Sequence, residues 1–147
     1  MEDNESLGTE SARRSGHRSH GLALVELAVI LPLLLILSSG AIEYGWLFLC
    51  QHELTNTARQ AARYAALPDT TSPQVTQQVF SLMTQYGLAK KSTDYTLTIT
   101  PSDVTSPPSG QLVTVRISLP YQNMALTSLV PVPSSLNAQV SMEKEGP

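Results

Sequence analysis

The sequence has few charged residues and no excess of positive charge. Charged residues make up 14% of the chain, whereas hydrophobic residues make up 41%, and an average soluble domain is about 25% charged. Nine Lys and Arg stand against twelve Asp and Glu, for a net charge of -3. This balance argues against a nucleic-acid-binding surface, which would be strongly basic. The apolar residues need a location, and a bilayer is one candidate.

Cysteine and histidine are also scarce, which argues against metal and disulfide sites. Cys50 is the only cysteine, so the chain can form neither an intrachain disulfide nor a cysteine cage for a metal. His17 and His20 lie in a polar N-terminal segment and His52 stands alone, without the spacing of a metal pair on a helix. The C-terminal half contains no histidine and no Gly-rich phosphate loop. We therefore predict no catalytic residue, no metal and no cofactor.

One long apolar segment is present near the N-terminus. Residues 22–42 contain a single charge, Glu26, and as a helix they would span about 32 Å, enough to cross a bilayer. Residues 27–37 show no polar face, unlike an ordinary soluble helix. The polar residues 1–20 are predicted to be disordered, and residues 1–21 to form a cytoplasmic leader. Its arginines place the N-terminus in the cytoplasm and the rest of the chain outside.

The far end of the apolar segment is marked by aromatic residues. Tyr44 and Trp46 lie where the helix should leave the hydrocarbon, which is where amphipathic rings settle. Glu43 is predicted to lie at the same outer interface, in contact with water. Pro32 removes one helical hydrogen bond and is interpreted either as a kink or as a proline that a membrane helix tolerates. The predicted transmembrane helix covers residues 22–50.

The helix is predicted to continue beyond the membrane as an extension over residues 51–67. Its residues up to Ala66 include no proline or glycine. Small and apolar residues recur there at intervals of three and four and form a narrow seam suited to close packing: Leu47, Cys50, Leu54, Ala58, Ala61 and Ala65.

Residues 70–147 are predicted to form a small α+β head. A second helix should begin with Ser72 as its N-cap and end before Gly87. Apolar and polar residues then alternate with period two, as in antiparallel strands with one buried face. The alternating segments are 95–100, 113–119 and, more weakly, 138–142. The predicted fold is a single-pass membrane helix, a second short helix and an antiparallel sheet of about three strands.

The N-terminal string resembles the class III signal of type IV pilins and pseudopilins. A polar leader ends in Gly21, an apolar residue follows at once, and Glu26 stands fifth after the glycine. The resemblance implies that a prepilin peptidase cuts between Gly21 and Leu22. It also implies that Glu26 pairs with the free N-terminus of a neighbouring subunit during assembly.

More narrowly, residues 18–66 resemble TadE and TadE-like proteins, minor pseudopilins of the Tad (Flp) pilus system. The resemblance is carried by Val25-Glu26, Leu31-Pro32, the exit Gly40-Ala41-Ile42-Glu43-Tyr44-Gly45 and the helix Ala58-Arg59-Gln60-Ala61-Ala62-Arg63-Tyr64. It implies a pilin-like head, location in the bacterial inner membrane, and a role in assembling an adhesion pilus. The implied partners are the prepilin peptidase, other pilins and pseudopilins, the inner-membrane assembly platform and membrane lipid.

Two other readings of the apolar segment stay open. Residues 27–37 have the length of a signal-peptide core, and Ser38-Ser39-Gly40 offers small residues for a cut before Ala41, which would give a secreted binding protein. An uncleaved segment would give a simple single-pass anchor. The first residue of the mature protein distinguishes the three readings: Leu22 for a pseudopilin, Ala41 for a secreted protein and Met1 for a simple anchor.

Overall fold

A computed structural model describes residues 17–105, 108–127 and 130–146. The elements are α1 (His17–Ala66), α2 (Ser72–Gln85), β1 (Thr96–Thr100), β2 (Leu112–Pro120), a short 3-10 helix (Tyr121–Asn123) and β3 (Ser135–Glu143). The predicted α+β layout, with a long apolar helix, a second short helix and a three-stranded sheet, is confirmed. The chain divides into two compact units, Met1–Ser38 and Ser39–Pro147. The predicted disorder of the leader is wrong for residues 17–20, which are the first residues of α1, because helix extends from the apolar segment back into the polar flank. Residues 1–16 lie outside the described residues.

The described part of the first unit is helical and belongs to α1. All of residues 21–38 are exposed. The segment Gly21–Ala66 is long and apolar enough to cross a membrane, and its most apolar 18-residue window has a mean hydropathy of 2.5 with no buried residue. An apolar surface of this kind indicates membrane anchoring, since water would not cover it at low free-energy cost.

The core of the second unit is built on the predicted seam of α1. Buried residues of α1 pack against α2 and one face of the sheet, and those of the seam are Cys50, Leu54, Ala58, Ala61 and Ala65. Each is at most 1% exposed. Alanine favours helix and has a short side chain, so the seam both propagates α1 and lets the neighbouring elements approach closely. The unit begins at Ser39, so its core includes residues that the sequence analysis placed in the membrane span.

The sheet is antiparallel with the strand order β1-β2-β3. Ile117 lies at its centre, opposite Leu97 of β1 and Ala138 of β3. The alternate residues Val113, Val115, Ile117 and Leu119 of β2 are buried, and the polar residues between them are half-buried or exposed, as period-two alternation predicts. Leu112, at the start of the strand, is exposed. Thr114 and Ser141 form a 2.8 Å hydroxyl pair across the polar face.

The start of α2 differs from the sequence prediction by one residue. The N-cap is Thr71 and not Ser72, and the backbone N–H of Thr71 donates to Oε1 of Gln74 at 2.9 Å. The Ser72 hydroxyl donates instead to the Ser102 carbonyl at 2.7 Å. Ser72 precedes Pro73, as an N-cap often does, but Thr71 and Gln74 form the capping-box pair, and the Ser72 hydroxyl has its partner in Ser102.

Both helices of the second unit end with specific partners for their last carbonyls. Gly87, at a φ of 70°, follows α2 as predicted, and the Leu88 N–H donates to the Met83 carbonyl at 2.8 Å, as in a Schellman motif. At the end of α1, the buried Lys144 ammonium donates to the carbonyls of Ala65 at 3.3 Å and Leu67 at 2.7 Å. A cation there also matches the negative end of the helix dipole.

Candidate functional site

The predicted cleavage and assembly residues lie on the exposed part of α1. Gly21, Leu22 and Glu26 are all exposed, and Leu22 keeps 74% of its surface accessible. Four residues of α-helix separate Leu22 from Glu26, a rise of about 6 Å. Because α1 begins at His17, the Gly21–Leu22 bond is helical, and a protease that needs extended backbone must first unwind this turn. Glycine lowers that cost because it is a weak helix former.

Pro32 lies inside α1 and is exposed. Its ring nitrogen carries no hydrogen, so it cannot donate to the carbonyl of Ala28. The helix nevertheless continues past it to Ala66. A kink at this position stays a prediction.

Glu43, expected to be in contact with water, is buried. It is 0% exposed and lies in the interior of the second unit. The expectation was wrong because position along α1 gives the depth of a residue but not the face that other parts of the chain cover. Its assignment to the membrane interface stays a prediction.

The carboxylate of Glu43 accepts hydrogen bonds from one turn and the loop that follows it. The Tyr121 hydroxyl donates to Oε1 at 2.8 Å. The backbone N–H of Leu126 donates to Oε2 at 3.1 Å, and that of Thr127 donates to the same oxygen at 2.7 Å. The Thr127 hydroxyl lies 3.2 Å from Oε2. These hydrogen-bond partners of the carboxylate all donate to it, which is what a buried negative charge requires.

Tyr121 is held in its neutral, donating form. It is 0% exposed, and its own backbone N–H donates to the Ser134 carbonyl at 3.0 Å. Burial raises the pKa of Tyr121 well above its usual range, and the hydrogen bond to the Glu43 carboxylate raises it further. The phenol is therefore neutral, and its proton is available to donate, at neutral pH.

The two aromatic residues after Glu43 contact the same loop. The Tyr44 hydroxyl donates to the Pro131 carbonyl at 2.9 Å, and the Trp46 indole N–H donates to the Met124 carbonyl at 3.0 Å. Tyr44 is 42% exposed, whereas Trp46 is half-buried against the core. Together with Glu43 they fasten the loop to α1.

Sequence reasoning singled out Glu43, Tyr44 and Trp46 but missed their partners on the loop. Tyr121 and the backbone N–H groups of Leu126 and Thr127 lie about eighty positions further along the chain. A carboxylate within an apolar helix signals that donors are needed. No local pattern tells which part of the chain supplies them.

Cys50 is 1% exposed and belongs to the core, which agrees with its interpretation as a packing residue. Among residues 17–105, 108–127 and 130–146, no group of three His, Cys, Asp or Glu side chains is arranged to hold a metal ion.

Comparison with protein families gives one match, over the N-terminal helix. Residues 21–63 match the family of TadE-like proteins. This segment of the chain is TadE-like. The matched TadE-like segment begins at Gly21 and includes Glu26, Pro32 and Glu43, whereas Tyr121 and the loop lie outside it. No curated protein and no solved structure matches the chain. The match over this segment suggests an association with a Tad pilus and its components.

Proposed function

We propose that this TadE-like protein is a minor pseudopilin that takes part in assembling a Tad/Flp-type adhesion pilus. A prepilin peptidase cuts it between Gly21 and Leu22, and α1 then holds it in the inner membrane with its head outside. The single observation that carries the proposal is the family match, which starts at the residue before the proposed cut. Its partners are the peptidase, other pilins and pseudopilins, and the inner-membrane assembly platform.

The chemistry of the N-terminus supports this role. A cut after Gly21 leaves an ammonium group on Leu22, and Glu26 provides an exposed carboxylate on the same helix. Both charges are costly in an apolar environment, and pairing them between two subunits offsets both costs. The protein then acts by docking and performs no catalysis.

Support for this reading over a secreted protein comes from α1 itself. The small residues 38–40 that would precede a signal-peptidase cut lie within the helix. A Cβ atom built on Gly40 would lie 3.4 Å from the Val130 side chain, so Gly40 is close to the rest of the folded unit. Residues 39–40 are thus part of the folded unit and not a removable flank.

The test compares two helical glycines. At Gly21 and at Gly45 an added Cβ would contact no atom within 4 Å beyond the neighbouring helix backbone, so Gly45→Leu is a matched control for Gly21→Leu. Each variant is co-expressed with the peptidase of the same pilus system, and the N-terminus of the membrane-extracted protein is sequenced. We expect Leu22 as the first residue of wild type and Gly45→Leu, and an uncut chain for Gly21→Leu. An N-terminus at Ala41, or unchanged cleavage of Gly21→Leu, would reject the proposal.

A further inference from the structure

The exposed face of α1 in the second unit changes character between Leu49 and His52. Up to Leu49 the exposed residues are uncharged, and the large ones are Ile42 at 62%, Tyr44 at 42%, Phe48 at 68% and Leu49 at 49% exposure. From His52 onwards the exposed residues are polar or basic: His52, Arg59, Gln60 and Arg63. A helix surrounded by water along its whole length would not concentrate its large apolar side chains in one stretch.

The loop that packs on this stretch of α1 is equally free of charge. No charged residue occurs between Arg116 and Glu143. Met124 and Pro131 accept hydrogen bonds from Trp46 and Tyr44, which places them at the level of the apolar face. Leu126 nearby is 55% exposed. The uncharged surface therefore extends from the helix onto the loop.

Glu43 is the carboxylate at this level of the described residues, and the loop seals it. Its carboxylate has no exposed surface, and its donors are Tyr121, Leu126 and Thr127. On a surface bathed in water such sealing would be unnecessary, since water itself supplies donors. Next to lipid it is needed, because no donor is available from the surroundings.

From these three observations we propose that the second unit inserts into the outer interface of the membrane. We call the surface formed by Ile42, Phe48, Leu49 and Leu126 the apolar collar. The collar lies at the boundary between headgroups and acyl chains, and the loop shields Glu43 from lipid. His52 then marks the level at which α1 meets water. The inference rests on the membrane anchoring in the proposed function, not on cleavage or pilus assembly.

The bilayer is the occupant that fits this surface. The collar is uncharged, as a contact with acyl chains requires, and its helical residues continue the exposed apolar run of residues 21–38 along the sequence. Amphipathic segments at such a boundary bury their apolar side about 5–10 Å into the membrane. From Ile42 to Leu49 the helix rises about 10 Å, which matches that depth.

The experiment measures depth with spin labels on the full-length protein in vesicles of equal parts phosphatidylcholine and phosphatidylglycerol. Cys50→Ala removes the native thiol, and single cysteines are placed at Leu126, Leu112 or Leu34 for labelling. Leu126 and Leu112 are matched, since they are 55% and 57% exposed on the same unit. Collision of each label with oxygen, which partitions into lipid, is compared with collision with a water-soluble nickel chelate. Melting curves confirm that all three variants are folded.

We expect the label at 126 to show an oxygen-to-nickel accessibility ratio severalfold above that at 112, and the label at 34 to show the highest ratio. A label at 126 that is as accessible to nickel as the label at 112 overturns the proposal. A high oxygen-to-nickel ratio at 34 in the same experiment shows that α1 is still anchored in the membrane. A label at 126 that is shielded from both reagents and becomes exposed when the protein is diluted with lipid also overturns it, because the occupant is then a second protein copy.

Discussion

The Tyr121 hydroxyl donates to the Glu43 carboxylate at 2.8 Å across 78 positions of sequence, and both residues are 0% exposed. This contact joins the turn after β2 to the part of α1 that the sequence alone assigns to the membrane. It makes the carboxylate a structural member of the head. The attachment of the head loop to α1 therefore depends on a buried charge and its donors.

Replacing Tyr121 tests the contribution of this hydrogen bond. Tyr121→Phe keeps the ring and removes one donor, leaving Oε1 of Glu43 with a longer contact to the Leu126 N–H at 3.3 Å. Loss of a hydrogen bond to a buried charged group lowers the free energy of unfolding by about 1–3 kcal/mol. Thermal unfolding of the purified protein in detergent measures the change. Tyr86→Phe, which removes a hydroxyl bonded to the exposed Gln60 amide at 3.3 Å, should stay close to wild type.

Glu43→Gln should destabilise the head although the shape of the side chain is kept. A glutamine amide accepts only through its oxygen. Its nitrogen would face either the N–H groups of Leu126 and Thr127, donor against donor, or the Tyr121 hydroxyl, which could then no longer donate to residue 43. We expect a lower melting temperature and faster proteolysis within the loop. Glu53→Gln on the half-buried side of the same helix is the matched control and should change little. Equal stability of Glu43→Gln and wild type would contradict the structural role of the carboxylate.

Enlarging a residue of the alanine seam should disturb the packing of α1. Ala61 is 0% exposed in the core, so Ala61→Leu must displace neighbours and should cost about 1–3 kcal/mol of unfolding free energy, or more. Arg59→Leu adds apolar bulk on the exposed side of the same helix and serves as the control. Chemical denaturation of both variants in detergent distinguishes them. A wild-type midpoint for Ala61→Leu would show that the seam is loosely packed.

Asp94 should make the stability of the head depend on pH in the acidic range. Its Oδ2 accepts from the backbone N–H groups of Lys90 and Lys91, both at 2.8 Å, and these bonds lower the pKa of the carboxyl, aided by the lysine charges. A lowered folded-state pKa contributes stability above the ordinary aspartate value of about 3.9, and this is lost as the pH falls through the folded-state pKa. Melting curves between neutral and acidic pH should fall less steeply for Asp94→Asn. Parallel profiles would contradict this.

Glu26→Gln tests the proposed assembly mechanism. The change keeps size and hydrogen-bonding capacity but removes the charge that would pair with the ammonium of a neighbour's Leu22. We expect normal processing and a strong loss of pili, measured by immunoblotting for the mature form and counting surface pili. Mature Glu26→Gln protein with wild-type piliation would mean that the carboxylate does not act in assembly.

The fold was predictable from the sequence where one local pattern decided each element. The apolar run, the alanine seam of α1 and the period-two alternation of β2 each indicate a structure through their own spacing. The end of α2 was predictable for the same reason, because Gly87 supplies the left-handed residue that a helix stop needs. The start of α2 was predicted one residue late, because Pro73 favours Ser72 as the N-cap, whereas the capping-box spacing of Thr71 and Gln74 favours Thr71.

Sequence alone determined that the chain has a membrane-length apolar helix, a small α+β head and an N-terminal string of the TadE-like kind, because these are properties of neighbouring residues. Only the tertiary structure decided that Glu43 is buried and that Tyr121, Leu126 and Thr127 supply its donors. The physical reason is that a buried charge is stabilised by groups close in space, whatever their separation along the chain. Which face of α1 is covered depends on how the whole sheet and its loop pack, and no local pattern encodes that choice.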